Sequence, residues 1–120
     1  MAKILLVEDE EVLRMLVTDT LEDEGYEVDE AVDGGEAYEK IQETSYDLLL
    51  VDYMMPVLTG LELIHKIRQE GNKVKIIMLS AKSQTADQQK VKDAGADGFV
   101  SKPFSPIELT ERIGEMLRES

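Results

Sequence analysis

Short, nearly uninterrupted hydrophobic runs alternate along the chain with longer stretches in which hydrophobic residues recur every three or four positions. Strands that are buried on both faces of a parallel sheet show such continuous runs, whereas the wider spacing is typical of a helix with one buried face. The pattern predicts strands at Ile4–Val7, Leu48–Val51, Val74–Leu79 and Gly98–Val100, a weaker alternating strand at Tyr26–Val32, and helices at Glu10–Glu24, Gly35–Glu43, Gly60–Glu70, Ser83–Ala94 and Ser105–Glu119.

Glycines and a capping motif mark the ends of the predicted helices. Gly25, Gly71 and Gly95 each follow a helical stretch, where a glycine readily adopts the left-handed conformation that closes the last turn. Ser105, followed by a proline and then by Glu108, has the pattern of a capping box at the start of the last helix. The adjacent glycines at 34 and 35 match no phosphate-binding motif and are interpreted as a turn ahead of the second helix.

The alternation of five strands with helices predicts an α/β fold, in a single domain that spans residues 1–120. Right-handed crossovers place helices on both faces of a five-stranded, doubly wound parallel sheet and give a three-layer sandwich. Ligands of such sheets bind at the carboxyl ends of the strands. The residues at those ends are therefore the candidates for function.

Composition and charge exclude several classes of function. The 120 residues include 26 acidic and 13 basic side chains, which give a formal net charge of −13. Binding to nucleic acid or to an anionic membrane draws on clustered Lys and Arg, so we expect neither as a direct partner. The chain has no Cys, and its first hydrophobic run is too short for a signal peptide or a membrane span. We expect a cytoplasmic protein.

Polar side chains lie at or just beyond the ends of four predicted strands. Glu8 and Asp9 follow the first strand, Asp52 ends the third, Ser80 ends the fourth and Lys102 follows the fifth. Most carboxylates of so acidic a chain are solvated surface charges, but Asp52 follows the most hydrophobic run in the protein. Because parallel strands end at a common edge, we expect the five side chains to meet there.

The chemistry of this set favours a metal ion and a phosphoryl group. Three carboxylates at one site repel one another unless a cation joins them, and an all-oxygen donor set suits Mg²⁺, with Mn²⁺ as the alternative ion. Lys102 adds a positive charge and Ser80 a hydroxyl donor for phosphoryl oxygens. A carboxylate can attack phosphorus, so the residues predict an aspartyl phosphate at Asp52.

Four sequence motifs lie at these predicted strand ends. They are Val7-Glu8-Asp9-Glu10; Asp52-Tyr53-Met54-Met55-Pro56 with Gly60; Leu79-Ser80-Ala81-Lys82; and Gly95-Ala96-Asp97-Gly98-Phe99-Val100-Ser101-Lys102-Pro103-Phe104. In this order they resemble the receiver domain of two-component response regulators, the CheY-like family. The resemblance covers the whole chain and implies a flavodoxin-like sheet with strand order 2-1-3-4-5.

The resemblance implies a phosphorylation-dependent signalling switch in a two-component phosphorelay. Asp52 would accept a phosphoryl group from a histidine kinase or a phosphotransfer protein. Glu8 and Asp9 would bind Mg²⁺ together with Asp52, and the backbone carbonyl of Met54 would be a further ligand. The protein would be a phosphoacceptor regulator, not an enzyme with a separate substrate.

Further implied roles concern the switch itself. Ser80 and Lys102 would contact the phosphate, Ser80 and Phe99 would change position on phosphorylation, and the bond before Pro103 would be cis. A downstream protein would then bind the surface around the fourth helix, the fifth strand and the fifth helix.

Two expectations concern assembly. The chain ends at Ser120, just after the fifth predicted helix, so we expect either a stand-alone regulator or a part of a larger one. Asp97 and Arg112 match the dimer surface of winged-helix regulators, whereas Gln88 and Gly98 depart from it. We expect a monomer or a weak phosphorylation-dependent dimer.

The resemblance implies that the lifetime of the aspartyl phosphate depends on Met54 and Lys82. Their positions flank the approach of water to the phosphorus, and relatives that hydrolyse rapidly have an amide or an acid there. Neither side chain here can accept a proton from water, so the resemblance predicts slow self-dephosphorylation.

Three other classes of protein share the fold or the strand-end aspartate. A phosphatase of the haloacid-dehalogenase type also uses a strand-end aspartate with Mg²⁺, but it has a second aspartate where this chain has Met54. A flavodoxin is poorly supported by a chain with 5% aromatic residues and no Trp. A receiver that has lost its activity should lack one of the site residues, and none is missing.

Overall fold

The computed structural model of the chain describes residues 2–53, 58–81 and 92–118. Within these ranges, parallel strands alternate with helices as the hydrophobic pattern predicts, and residues 92–94 are helical. The strands are β1 (Lys3–Val7), β2 (Glu27–Ala31), β3 (Leu48–Asp52), β4 (Lys75–Ala81) and β5 (Gly98–Lys102), and the helices are α1 (Glu11–Asp23), α2 (Gly34–Glu43), α3 (Gly60–Gln69) and the C-terminal helix (Pro106–Arg118).

The five strands form one parallel sheet in the order β2-β1-β3-β4-β5, which confirms the predicted fold. Val7 pairs with Val51, and Asp52 pairs with Leu79, so β1 and β3 end beside each other while β4 runs two residues further. Parallel strands all present their carboxyl ends at one edge. The strand-end residues that the sequence singles out are thereby gathered at that edge.

Each face of the sheet carries its own hydrophobic cluster. Leu49 and Val51 of β3 pack with side chains of α2 and α3, whereas Leu48 and Leu50 pack with those of α1 and the C-terminal helix. Successive strand residues point to opposite faces, and here both faces are covered. Burial on both sides explains why β1 and β3 are continuously hydrophobic in the sequence.

The second helix begins one residue earlier than predicted, and its two glycines form its first turn rather than a turn ahead of it. Asp33 caps the helix, because its Oδ1 accepts a hydrogen bond from the Glu36 amide at 2.8 Å. A Cβ on Gly34 would lie 2.5 Å from the carbonyl oxygen of Leu58. Close packing against the segment before α3 therefore requires glycine at this position.

Strands β4 and β5 each run two residues further than the hydrophobic runs predict. Ser80 pairs with Ser101, and Ala81 pairs with Lys102, so ladder pairing continues into polar sequence. Ser80 accordingly lies inside β4, and Lys102 is the last residue of β5 and does not follow it. Backbone pairing with a neighbouring strand extends both strands toward the functional edge.

Formal charge is distributed very unevenly along the fold. Residues 1–47, which include β1, α1, β2 and α2, hold 16 acidic and 3 basic side chains and carry a formal charge of −13. Residues 48–120 hold 10 of each and are neutral. Since β2 and β5 are the two edges of the sheet, the net charge belongs to the half with the β2 edge.

Among residues 2–53, 58–81 and 92–118, no helix is both long and apolar enough to cross a bilayer.

Candidate functional site

Three carboxylates and a lysine meet at the carboxyl edge of the sheet. One carboxylate oxygen from each of Glu8, Asp9 and Asp52 lies within 4.8 Å of the other two. The Lys102 Nζ atom is 3.0 Å from Glu8 Oε1 and 3.2 Å from Asp52 Oδ1. We call these four residues the acidic site. It joins the end of β1, the end of β3 and the end of β5.

Glu8 is the most enclosed member of the acidic site, with 1% of its surface exposed. Both of its carboxylate oxygens accept hydrogen bonds, Oε1 from Lys102 and Oε2 from the Glu10 amide at 3.1 Å. Its own amide donates to the carbonyl oxygen of Ala31 at 3.0 Å, which extends the pairing of β1 with β2. The loop after β1 is therefore held by both backbone and side chain.

The electrostatics of the acidic site are dominated by burial of negative charge. Burial, and then repulsion from Asp52, raise the pKa of Glu8 to about 7, although hydrogen bonds from the Glu10 amide and from Lys102 act in the opposite direction. Burial alone would lower the pKa of Lys102, but its hydrogen bond to Glu8 and the charge of Asp52 raise it above its usual value. Lys102 therefore stays protonated at neutral pH.

The donor set fits a hard divalent cation. One lysine does not neutralise three carboxylates, and burial together with the charge of Asp52 raises the pKa of Glu8. Asp9 is exposed, so water has access to the acidic site from that side. Carboxylate oxygens with room for water ligands are the environment that Mg²⁺ prefers. The acidic site is compatible with Mg²⁺ binding.

The start of α3 packs directly against the strand end that carries Asp52. The Gly60 amide donates a hydrogen bond to the carbonyl oxygen of Tyr53 at 3.2 Å, and a capping box at Thr59 begins the helix. A Cβ on Gly60 would lie 2.6 Å from the Asp52 carbonyl oxygen and 2.7 Å from the Met78 Cε atom. Close packing of α3 thus fixes the backbone of β3 at Asp52, the predicted phosphoacceptor.

The predicted switch residues lie on the neighbouring strands. Ser80 is 1% exposed and follows Leu79, the residue of β4 that pairs with Asp52. Phe99 is half-buried on β5 and packs against the cluster that faces α2 and α3. The peptide bond before Pro103 is cis.

Other predicted residues fall outside the described ranges or away from the edge. Met54, Lys82 and Gln88 lie outside the described residues. Of the two residues that match a dimer surface, Asp97 accepts hydrogen bonds through Oδ2 from Arg68 at 3.1 Å and from the Ile76 amide at 2.9 Å. Asp97 is therefore engaged within its own domain.

Sequence reasoning missed Arg14, a side chain of the described residues that contacts the acidic site. Arg14 of α1 donates a hydrogen bond to the carbonyl oxygen of Glu8 at 3.0 Å. A signal was present in the sequence, because Arg14 is the only basic residue between Lys3 and Lys40. Its hydrogen-bond partners are the Glu8 carbonyl and the side chain of Glu30 on β2. No linear sequence motif reveals such a pair of partners.

Comparison with known proteins gives a consistent family match. The model of the response regulator receiver domain matches residues 4–114. The chain is 43% identical over 120 residues to the phosphate regulon transcriptional regulatory protein PhoB of Rhizobium meliloti, and 44% identical over 118 residues to the transcriptional regulatory protein ResD of Bacillus subtilis. Each match covers 98% of this chain but 53% and 49% of the relative, so the chain spans about half the length of these curated relatives.

Solved structures agree with the sequence relatives. The receiver domain of the Francisella response regulator 1452 superposes with a TM-score of 0.94 at 29% identity, over 99% of this chain and 98% of that one. The chemotaxis protein CheY4 of Vibrio cholerae superposes with a TM-score of 0.91 at 38% identity, over 97% of this chain and 98% of that one. Both similarities extend over essentially the whole fold.

Proposed function

This chain belongs to the receiver domains of two-component response regulators, and from that premise we propose that it is a phosphorylation-dependent switch whose phosphoacceptor is Asp52. One observation carries the proposal. Asp52 is 7% exposed at the end of a buried strand, yet its carboxylate lies among two other acids and 3.2 Å from a lysine. A buried carboxylate with a cationic neighbour at the mouth of a sheet is suited to attack and then to hold a phosphoryl group.

Phosphoryl transfer requires little covalent chemistry from the protein. A carboxylate oxygen of Asp52 attacks the phosphorus of a phosphohistidine on the donor protein, the new O–P bond forms and the N–P bond breaks. The imidazole nitrogen leaves with the electron pair and takes a proton. Lys102, protonated at neutral pH, supplies positive charge to the phosphoryl oxygens as they pass from donor to acceptor.

We assign the metal ligands to Glu8, Asp9 and Asp52, with the backbone carbonyl of Met54 as a further ligand. Bound Mg²⁺ supplies charge neutralisation at the phosphoryl oxygens. The chain's own part is to bring the three carboxylates within reach of one ion, and the burial of Glu8 near Asp52, which raises the pKa of Glu8, is part of the cost. Two of the three acids are buried, which limits their freedom to turn away.

In this proposal, phosphorylation changes the structure of β5 and of the segments next to it. The phosphate draws the hydroxyl of Ser80 toward the acidic site, and Phe99 on the adjacent strand then changes position. Coupling through β4 and β5 alters the surface formed with the C-terminal helix and the fourth predicted helix, where a downstream protein binds. Slow self-dephosphorylation and a cytoplasmic location complete the proposal.

The donor protein docks beside the acidic site, where α1 leaves an apolar surface exposed. Val12 is 74%, Met15 56% and Leu16 51% exposed, and a groove of about 530 Å³ runs between α1 and the loop that holds Phe104. Lys102 lines the same groove, so a protein bound there is within reach of Asp52. Apolar patches of this kind mark protein interfaces.

Chemical phosphorylation tests the assignment of Asp52. The protein is incubated with Mg²⁺ and acetyl phosphate, and intact mass measurement should show one base-labile phosphoryl group. Asp52→Asn should remove at least nine-tenths of the label, whereas Asp47→Asn, in the residue just before the opposite end of β3, should keep it. Undiminished labelling of Asp52→Asn would refute the proposal, and an unlabelled wild-type protein would favour a receiver that has lost its activity.

A docking variant separates the donor surface from the chemistry. Leu16→Ser removes apolar surface from the groove and adds no charge beside Lys102. Transfer from a histidine kinase that phosphorylates the wild type should slow by about tenfold, the effect of losing about 1.4 kcal/mol of contact, while labelling by acetyl phosphate should stay unchanged. Equal transfer rates from the kinase would show that the donor binds elsewhere.

A further inference from the structure

Arg14 connects the loop after β1 to the edge strand β2. Its Nη1 atom donates to the carbonyl oxygen of Glu8 at 3.0 Å, and its Nε atom donates to Glu30 Oε1 at 2.9 Å. The Arg14 side chain is 15% exposed, and that of Glu30 is 40% exposed. A guanidinium holds its donors in a rigid planar fork, so the bond to Glu30 also fixes the direction of the bond to Glu8.

The carbonyl group that Arg14 holds belongs to the peptide between Glu8 and Asp9. The other polar groups of Glu8 are held separately, its amide by Ala31 and its carboxylate by Glu10 and Lys102. Within the described ranges, the Asp9 carboxylate accepts no hydrogen bond from the protein. Its backbone sets the direction of the Cα–Cβ bond from which the carboxylate reaches the acidic site, and Arg14 holds the peptide plane on the amino side of that residue.

The bridge contributes little as a surface ion pair. Glu30 is well exposed, and such pairs typically add less than about 1 kcal/mol to stability. The bond to the Glu8 carbonyl is different, because that carbonyl belongs to the peptide that joins Glu8 to Asp9. Both of these residues contribute carboxylates to the acidic site. A bond in this position affects the geometry of the site more than the stability of the fold.

We propose that Arg14, braced by Glu30, is a positioning residue of the acidic site, which fixes the Glu8–Asp9 peptide so that the Asp9 carboxylate is directed toward a bound cation. This inference rests on the proposed function, since it assigns a partner to the residues that would hold Mg²⁺. Residues that orient metal ligands are often worth a factor of ten or more in metal affinity.

Magnesium binding to Arg14→Ala tests the proposal, because a loss of charge and a loss of positioning predict opposite changes in Mg²⁺ affinity. Removing a cation near three carboxylates makes the local potential more negative, so Coulomb attraction predicts tighter Mg²⁺ binding. Loss of positioning predicts weaker binding. We expect the Kd for Mg²⁺, measured by titration calorimetry on the whole chain, to rise by about tenfold. An unchanged or lower Kd would overturn the proposal.

Three further variants keep the test decisive. Arg14→Lys retains the charge but not the planar fork, so its Kd for Mg²⁺ should rise nearly as far as that of Arg14→Ala. A Kd equal to that of the wild type would show that the fork is not needed and would overturn the proposal. Glu30→Ala should weaken Mg²⁺ binding about threefold more than Glu27→Ala, a change of equal charge on the same strand. Equal effects of the two glutamate changes would overturn the role of the bridge.

Two controls separate this inference from the proposed function. Melting without Mg²⁺ shows that each variant is folded, and if Arg14→Ala does not fold, Arg14→Lys and Glu30→Ala decide the question. If the wild type itself neither binds Mg²⁺ nor accepts phosphate, the proposed function fails and the inference falls with it. If the wild type does both and the variants match it, only the role of Arg14 is refuted.

Discussion

At the scale of single residues, Glu8 shows the conflict between burial and charge most directly. It is almost fully enclosed, it lies near Asp52, and its pKa is raised to about 7 despite a hydrogen bond from Lys102. A buried hydrophobic side chain would stabilise the fold without this cost. The acidic site therefore stores unfavourable electrostatic energy that a bound cation can relieve.

The pH dependence of stability without metal follows from this pKa. In the unfolded chain Glu8 titrates near its ordinary value of 4.5, and in the native state near 7. Between these values the native state binds more protons, so the contribution of Glu8 makes the free energy of unfolding fall as pH rises, by about 3 kcal/mol at most. Denaturant unfolding of wild type and Glu8→Gln, from pH 4 to pH 8, should show the difference between them growing in favour of the variant.

A matched control isolates the effect of burial. Glu11→Gln makes the same chemical change at an exposed position on α1. Its unfolding free energy should follow that of the wild type in parallel across the whole range. If Glu8→Gln also ran parallel to the wild type, the raised pKa of Glu8 would be wrong.

At the scale of secondary-structure elements, α3 determines how rigidly Asp52 is held. Gly60→Ala would force a methyl group to within 2.7 Å of both the Asp52 carbonyl and Met78. Shifting this helix should cost about 1–3 kcal/mol of stability and should also slow labelling of Asp52 by acetyl phosphate.

Gly71→Ala is the control for a glycine replacement at the other end of α3. Gly71 has a φ of +81° and open space around it, so alanine should cost about 1 kcal/mol through backbone strain alone. Denaturant unfolding should show both losses, but only Gly60→Ala should change the labelling rate. A normal rate in Gly60→Ala would show that close packing at Gly60 does not position Asp52.

The elements also show why some features were predictable and others were not. Runs of hydrophobic residues reveal buried strands, and parallel strands end together, so the meeting of Glu8, Asp9 and Asp52 followed from their order alone. The last residues of β4 and β5 are held by pairing between strands, which hydrophobicity does not encode. Ser80 was expected at the end of its strand, and it lies inside.

Side-chain contacts between residues far apart in the sequence could likewise not be predicted. The partner of Arg14 on β2 is 16 positions away, and its other partner is a main-chain carbonyl. No residue pattern specifies such a pair. Family membership, by contrast, rests on strand-end motifs that the sequence shows plainly, and it excludes the flavodoxin and phosphatase interpretations.

At the scale of the whole molecule, metal binding should stabilise the fold. Mg²⁺ at a few times its Kd should add on the order of 1 kcal/mol to the free energy of unfolding, by RT ln(1 + [Mg²⁺]/Kd). Asp9→Ala should abolish this increment because it removes a ligand. Denaturant unfolding with and without millimolar Mg²⁺ measures it.

Screening of the net charge is the competing explanation for that increment. Asp19→Ala, on the exposed side of α1, removes the same charge as Asp9→Ala without touching the acidic site. It should keep the full stabilisation by Mg²⁺. If both variants and the wild type gained equally, the ion would act only by screening the charge of −13.

The uneven distribution of charge also protects the domain from its own open edges. An edge strand presents unpaired backbone groups that can join another sheet, and β2 is such an edge. It carries Glu27, Asp29 and Glu30 within the half of the chain that holds all of the net charge. Two copies approaching through β2 would bring like charges together, so aggregation by edge-to-edge pairing is opposed there. The neutral half, with β5 at its edge, is the side from which a second copy can approach without that repulsion.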